Sequence, residues 1–444
     1  MATPLDIQIS IYDMSFRREG WVGNFGSLSS TFRWNANGTI TFTVAADHPT
    51  AQTLISKRCR AVVQYLGVDI LSGRVKPASG MILRGGFISF TVMDDRAMLD
   101  HTLAWVNPAN SIRATGLSAT TQSQMGQAYL TGTAGNAGEV TGQSGYFVWP
   151  SSITTAEAAI KYLCAQNLPR MNRPVTIAPD LGRGGNIRAA GALPVNIRFD
   201  TLAEAIQPIC DWSGLAVRLQ QATFGGTIVL DVVEPGEWVQ TLTPESQIVQ
   251  DGNWNLGDVA ATRVVIGGPG EEAARAFYQV NDTSGLEADF GYGIEVFKDA
   301  TGANLKWPDA VTEKLKVAKY FHLRSEIAAA DKTVFEAYLK NAGAEALLDG
   351  RPEDSLNVVL AETATFHFGG DDGIQLGDVI TVKFNAGAGT LELSNQVSEV
   401  AISIDSKGKV SVVPTVGEKK STNRALAKAM KTLYKTQRRR ATGQ

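Results

Sequence analysis

Cysteine is scarce. Cys59, Cys164 and Cys210 are the only three in 444 residues. An odd number at wide spacing excludes a disulfide framework and a zinc knuckle. Apolar neighbours make each a small buried hydrophobe. His48, His101, His322 and His367 are scattered, without the paired spacing of a metal-binding helix. No apolar run approaches the ~20 residues that span a bilayer, so no membrane anchor is expected. The opening Met-Ala-Thr-Pro-Leu-Asp lacks a basic n-region and an apolar h-region, so no signal peptide is expected.

Apolar residues and glycine are plentiful. Hydrophobic residues are 44% and charged residues 19%, enough apolar surface for true cores. The 44 glycines fit many turns between short strands. The length suits roughly two to four domains at about 100–200 residues each.

Period-two alternation dominates both ends, the signature of half-buried strands. Leu5, Ile7, Ile9 and Ile11 share one face, as do Ile40, Phe42 and Val44. A turn at Asn35-Ala-Asn-Gly38 precedes the second run. A third run covers Arg60 to Leu71, and Gly86 to Met93 closes the unit with Ile88, Phe90 and Val92 on one face. Asp94-Asp95-Arg96 then reads as a helix cap. The alternation returns at Thr262–Ile266, Thr363–Phe368, Asp378–Phe384 and Val397–Ile404, with a closing hairpin turned at Ser406-Lys-Gly408.

Between these sets the pattern changes. Residues 107–145 are rich in Gly, Thr, Ser, Ala and Gln, and read as an arm that packs on a neighbour or projects outward. Thr154-x-x-Glu157 and Thr201-x-x-Glu204 are capping boxes that open two helices, and Gly214 ends the second. The Pro/Gly/Arg-rich stretch 169–194 reads as a loop. Leu215–Leu219 and Thr227–Val233 form a hairpin. Helical spacing returns at 309–323 and 331–348.

The expected fold is α+β, mainly β. Residues 1–100 form a first barrel-like domain, and 101–240 an inserted α/β unit with the arm. Residues 241–308 and 355–417 form a second barrel-like domain, 309–354 a helical insertion, and 418–444 a basic C-terminal helix or tail.

The motifs suggest no catalytic, cofactor or metal site. Gly268-x-Gly270-x-x-Ala273 has dinucleotide spacing, but Glu271 and Glu272 would repel a pyrophosphate and the chain lacks βαβ alternation. Asp282-Thr-Ser-Gly285 and Asp289-Phe-Gly291 imitate enzyme fragments without their partners and read as turns. His367-Phe-Gly-Gly-Asp-Asp-Gly373 reads as a turn between strands. An enzyme is not expected.

The net charge of −3 hides an asymmetry. Nine Lys or Arg and one Glu lie from Val416 to Gln444, leaving 32 basic and 43 acidic residues before them. A basic tail on an acidic body marks an interaction segment. Leu426, Met430 and Leu433 fall at i, i+4 and i+7, a narrow stripe suited to docking. Arg438, Arg439 and Arg440 add charge for an acidic surface or nucleic acid. These six are the candidate partner-docking residues.

Three segments carry a family resemblance. The first holds Ile11-Tyr-Asp-Met-Ser-Phe-Arg-Arg-Glu-Gly20, Phe32-Arg-Trp-Asn-Ala-Asn-Gly-Thr-Ile-Thr-Phe42 and Ile70-Leu-Ser-Gly-Arg-Val75. The second is Thr201 to Leu219, where a helix runs into Trp212-Ser-Gly-Leu-Ala-Val-Arg218. The third holds Leu376-Gly-Asp-Val-Ile-Thr-Val382, Val397-Ser-Glu-Val-Ala-Ile402 and Val413-Pro-Thr-Val-Gly417. In order and spacing these resemble the Gp37-like minor tail proteins of long-tailed actinobacterial phages, a baseplate-hub or tail-associated group.

The resemblance implies a structural virion protein at the distal end of the tail, made in the host cytoplasm. It implies a homotrimeric hub between the tail tube and the tail tip or central fibre. Its partners would be the distal tail protein, the tape measure protein and other minor tail or central fibre proteins, with DNA passing transiently through its channel. No cofactor is implied. The alternative is a receptor- or carbohydrate-binding tip module, which would need exposed aromatics; Trp105, Trp149, Trp238 and Trp254 are candidates.

Overall fold

The computed structural model describes residues 6–417, apart from 77–78, 81–85, 107, 110–146, 190–191, 195–196, 223–225, 257–258, 269–276, 300–338, 341, 345, 348–349, 351–354, 364–365, 371 and 387–388. The fold is α+β and mainly β. The opening strands are β1 (Ile7–Asp13), β2 (Arg18–Val22), β3 (Ser27–Arg33), β4 (Thr39–Ala45), β5 (Cys59–Tyr65), β6 (Val68–Val75), β7 (Ser79–Gly80) and β8 (Phe87–Asp94). A helix, Pro49–Ser56, lies between β4 and β5. The middle holds helices Ala156–Asn167 and Leu202–Ser213 with β9 (Val175–Ile177), β10 (Ala216–Gln221) and β11 (Ile228–Val233). Then come β12 (Val249–Asn255), β13 (Arg263–Gly267), β14 (Phe277–Asn281) and β15 (Glu295–Asp299). The closing strands are β16 (Ser355–Leu360), β17 (Val379–Asn385), β18 (Thr390–Ile404) and β19 (Val410–Val416).

The alternating runs become strands because they can bury one face. Ile7, Ile9 and Ile11 are buried on β1, Ile40, Phe42 and Val44 on β4, and Phe90 and Val92 on β8. Ile380 and Val382 do the same on β17. The run from Arg60 to Leu71 is not one strand but parts of two. The chain reverses at Leu66 and Gly67, both at positive φ, between β5 and β6.

Among the described residues thirteen strands form one antiparallel sheet, in the order β12-β16-β19-β18-β3-β4-β8-β6-β5-β1-β2, with β17 also on β18 and β7 also on β8. Strands expected in two separate barrel-like units thus meet at β3 and β18, where Leu28 to Arg33 pair with Ile404 to Glu399. Their apolar faces share one core, which includes Ile9, Phe42, Phe90, Ile380 and Val400.

Two smaller sheets stand apart. In the order β10-β11-β9, the first carries both long helices and a core of its own. Thr201 caps the Leu202–Ser213 helix in a full capping box with Glu204, and Gly214 closes it at φ 72°. The other expected box is displaced by one residue. Thr155, not Thr154, caps the Ala156–Asn167 helix, through Ala158 N. Glu157 turns inward, because Lys161 one turn later donates to it at 2.6 Å and Arg183 N at 2.9 Å. Burial pushes the Glu157 pKa up, but these donors outweigh it and hold the carboxyl below its usual range. Arginines fasten the irregular stretches around this unit by donating to backbone carbonyls: Arg170 to Leu103 at 2.9 Å and Arg188 to Pro150 at 2.7 Å.

The last sheet, β14-β13-β15, packs Val264 and Ile266 against Leu339 and Leu347. Its strands, grouped by sequence with 355–417, form a layer of their own. Of the expected helix 331–348, residues 339–340, 342–344 and 346–347 are helical; the expected helix 309–323 lies outside the described residues. Of the expected strand 363–368, the described residues Thr363, Phe366, His367 and Phe368 lie in no strand, and the strand here is β16, a few residues earlier. The alternation misled because Phe366 and Phe368 are buried from a loop.

Candidate assembly interface

The turn after β3 touches all three neighbouring parts of the molecule. Trp34 N donates to Ser398 O at 2.9 Å, tying the turn to β18. The Trp34 ring lies against Gly377, whose φ is +99° and where a Cβ would come within 2.1 Å of the indole. Asn35 accepts from Arg96 Nη2 at 3.1 Å and reaches Leu215 O at 3.5 Å, beside the second long helix. Asn37 donates to Asp100 at 2.6 Å. Asp94 accepts from Gly38 N at 3.0 Å and Arg96 N at 2.9 Å. Burial raises the Asp94 pKa to about 6 despite those donors. Arg96 holds the N-cap position of the Ala97–Asp100 helix with no side-chain cap bond of its own, and the side chain that meets a backbone N–H at this helix start is that of Asp94.

A buried ionic group joins the large sheet to the α/β unit. Arg60 on β5 donates to Asp95 at 2.5 Å and to Gln221 of β10 at 3.1 Å. Ser72 donates to Asp95 at 2.6 Å, and Gln221 N to Ser72 Oγ at 2.7 Å. Phe16 lies 5.0 Å from the Arg60 guanidinium. A paired, fully hydrogen-bonded charge tolerates burial that an unpaired one would not.

A third contact seats the loop after β16 on the β5–β6 turn. Tyr65 stacks on Phe368 at 5.9 Å. Glu362 accepts from Phe368 N at 3.0 Å. Burial first, then the Glu362 charge, pushes the Tyr65 phenol pKa up. His367 sits 3.3 Å from Asp372 in this loop, which turns through Gly369 and Gly370 at positive φ.

No group of three or more metal-ligating side chains occurs among the described residues. The three cysteines are free and buried. Burial raises Cys164 to about 12 and Cys210 to about 11, so neither is a ready thiolate at neutral pH. Asp282 accepts from Ser284 N at 3.0 Å within its turn, and Gly291 closes the short Leu286–Phe290 helix. Beyond Gly268, β13 is followed by the antiparallel β14, which is not the parallel crossover of a dinucleotide fold; 269–276 lie outside the described residues.

The surface offers two sheet ends. The Pro49–Ser56 helix leans on β2, where Thr50 donates to Trp21 O at 3.2 Å. At the other end β12 is exposed along most of its length. Among the four candidate aromatics Trp149 is buried, Trp105 is half-buried under Arg170 and Trp238 is half-buried against Phe366; Trp254 on β12 is exposed. Leu426, Met430, Leu433, Arg438, Arg439 and Arg440 lie outside the described residues, as do 107 and 110–145 of the arm. Sequence reasoning missed the Arg60–Asp95 pair. Its one signal is a charged residue inside the apolar run Cys59–Tyr65.

Residues 8–418 match the family described as Siphovirus ReqiPepy6 Gp37-like protein. No curated protein matches. The chain is similar to the tail protein of Neisseria meningitidis MC58 at 12% identity, covering 93% of this chain and 97% of that one with a TM-score of 0.44. It is similar at 13% to a 43 kDa tail protein of prophage MuSo2 from Shewanella oneidensis, covering 92% and 98% with a TM-score of 0.44. It is similar at 11% to prophage tail protein gp18 from Listeria monocytogenes EGD-e, covering 97% and 99% with a TM-score of 0.44.

Proposed function

This chain belongs to the siphovirus ReqiPepy6 Gp37-like family of phage tail proteins, and from that premise we propose that it is a trimeric tail hub. In this reading three copies form a ring at the distal end of the tail tube. Each copy contributes its first and last strand sets, fastened in one sheet, so six strand sets face a six-fold tube while three chains face the tip. The ring joins the distal tail protein to the tip or central fibre, with the tape measure protein as a further neighbour, and DNA passes through it. The protein carries out no chemistry of its own.

The single observation that carries the reading beyond membership is the shared sheet. Pairing of β3 with β18 fastens the first and last strand sets into one rigid body. A ring element that transmits load needs such a body, because two loosely linked units would not hold a fixed spacing around an axis. The acidic balance of residues 1–415 also suits a lumen that must release DNA.

Removing the gene from the phage and supplying it from a plasmid tests this. Without the protein, lysates should contain heads and no complete tails, and plasmid supply should restore them. Complete, infectious particles without it would overturn the hub. The alternative, a receptor- or carbohydrate-binding module, is favoured only by the exposure of Trp254. Retention of the isolated protein on host cell-wall material, lost in Trp254→Ala, would support it instead.

A further inference from the structure

The shared core is closed at one end and open at the other. Near β2 the Pro49–Ser56 helix places Ala51 and Leu54 in the core. The far end has no such cover among the described residues. There Trp254 lies opposite Leu356 in the β12–β16 ladder and 5.8 Å from Phe384 of β17. Phe384 is opposite Leu391, and Val382 opposite Leu393, in the β17–β18 ladder. Trp254 remains 43% exposed and Leu256, two residues on, 51% exposed. Phe384, Leu391 and Leu393 are half-buried. These five side chains form an apolar rim where the core runs out into solvent.

The described chain ends at this rim. Gly417 N donates to Gln396 O at 2.7 Å, and Ser398 donates to Gly417 O. At φ +79° any Cβ on Gly417 would stand 1.9 Å from Leu356 O, the residue opposite Trp254. These contacts fix Gly417 beside the rim. Residues 418–444 follow, with Leu426, Met430 and Leu433 at helical spacing. The nine residues from Glu418 to Leu426 can reach about 30 Å when extended.

We propose that residues 424–435 of this chain cover the rim of Trp254, Leu256, Phe384, Leu391 and Leu393, with Leu426, Met430 and Leu433 as the contact stripe. They do for the last strands what the Pro49–Ser56 helix does for the first. The basic side chains Lys428, Lys431 and Lys435 then line the outer side of the cover, where an acidic partner can meet them. The inference concerns the isolated chain, so it stands or falls apart from the hub reading, whose failure would appear in assembly and not here.

Hydrogen exchange on the full-length protein tests it. In the variant Leu426→Ser/Met430→Ser/Leu433→Ser, amides of 249–256 and 384–394 should exchange roughly tenfold faster, while those of 156–167 keep their protection. Unchanged exchange at 249–256 and 384–394 would overturn the proposal. If 156–167 also accelerates, the fold itself has been disturbed and the reciprocal variant decides. In Trp254→Ser, faster exchange at 424–435 supports the cover and unchanged exchange there overturns it.

Discussion

The hydroxyl of Ser30 on β3 donates to the carbonyl oxygen of Ile402 on β18 at 2.8 Å, joining residues 372 apart in sequence. Both belong to the ladder that makes one sheet of the first and last strands. The tail-hub account leans on this seam, and it is accessible to mutation.

Gly377 sits at the seam with φ +99° and the Trp34 ring where its Cβ would be. Gly377→Ala should destabilise by about 2–3 kcal/mol, from strain at positive φ together with a clash against a large ring. Gly389→Ala, with open space around it, should stay within about 0.5 kcal/mol. Urea midpoints of the two variants make the comparison. A cost confined to the last strands, with the first strands melting as before, would show that the seam does not couple them.

The Arg60–Asp95 pair predicts a different pattern. Arg60→Leu leaves Asp95 buried and unpaired and should cost about 3–5 kcal/mol. Adding Asp95→Asn should return at least about 1 kcal/mol of that, since the stranded charge is gone. A double-mutant cycle by urea unfolding reads this, and simple additivity would mean the pair is not coupled.

Asp94 gives a pH dependence. Its folded pKa is raised to about 6 from 3.8, so the folded state holds the proton more tightly than the unfolded chain. This group's contribution is therefore fully present below about pH 4 and lost as pH rises through 6. The side chain keeps some exposed surface, so the expected loss is on the order of 1 kcal/mol. Asp94→Asn should flatten stability between pH 4 and 7 by that amount. An unaltered slope would mean Asp94 titrates normally.

The C-terminal segment separates ring formation from docking. Deleting 418–444 should leave the oligomer intact by light scattering and stop attachment of the next tail component in complementation. Complete tails built from the truncated protein would contradict a docking role for the basic side chains of this segment, Arg438, Arg439 and Arg440 among them.

Much of this architecture is legible in the residues, for physical reasons that also explain the failures. The cores of β1, β4 and β17 follow from period-two alternation, because each strand buries one face. Thr201 and Glu204 specify their cap locally, within one helical turn. Thr154 misled because the helix starts one residue later, where Glu157 could find Lys161. Phe366 and Phe368 imitated a strand while packing from a loop. The β3–β18 seam left no local trace, since pairing across 372 residues depends on register between distant strands. Glycine at 377 hints at it only once Trp34 is known to lie there.

The central claim is the trimeric hub, and a reconstruction of the tail tip by electron cryomicroscopy tests it most directly. The account predicts three copies of this chain in a closed ring at the distal end of the tube, with the sheet running unbroken through β3 and β18 in each. Density for this chain in another copy number, or on peripheral fibres away from the tube axis, would contradict it.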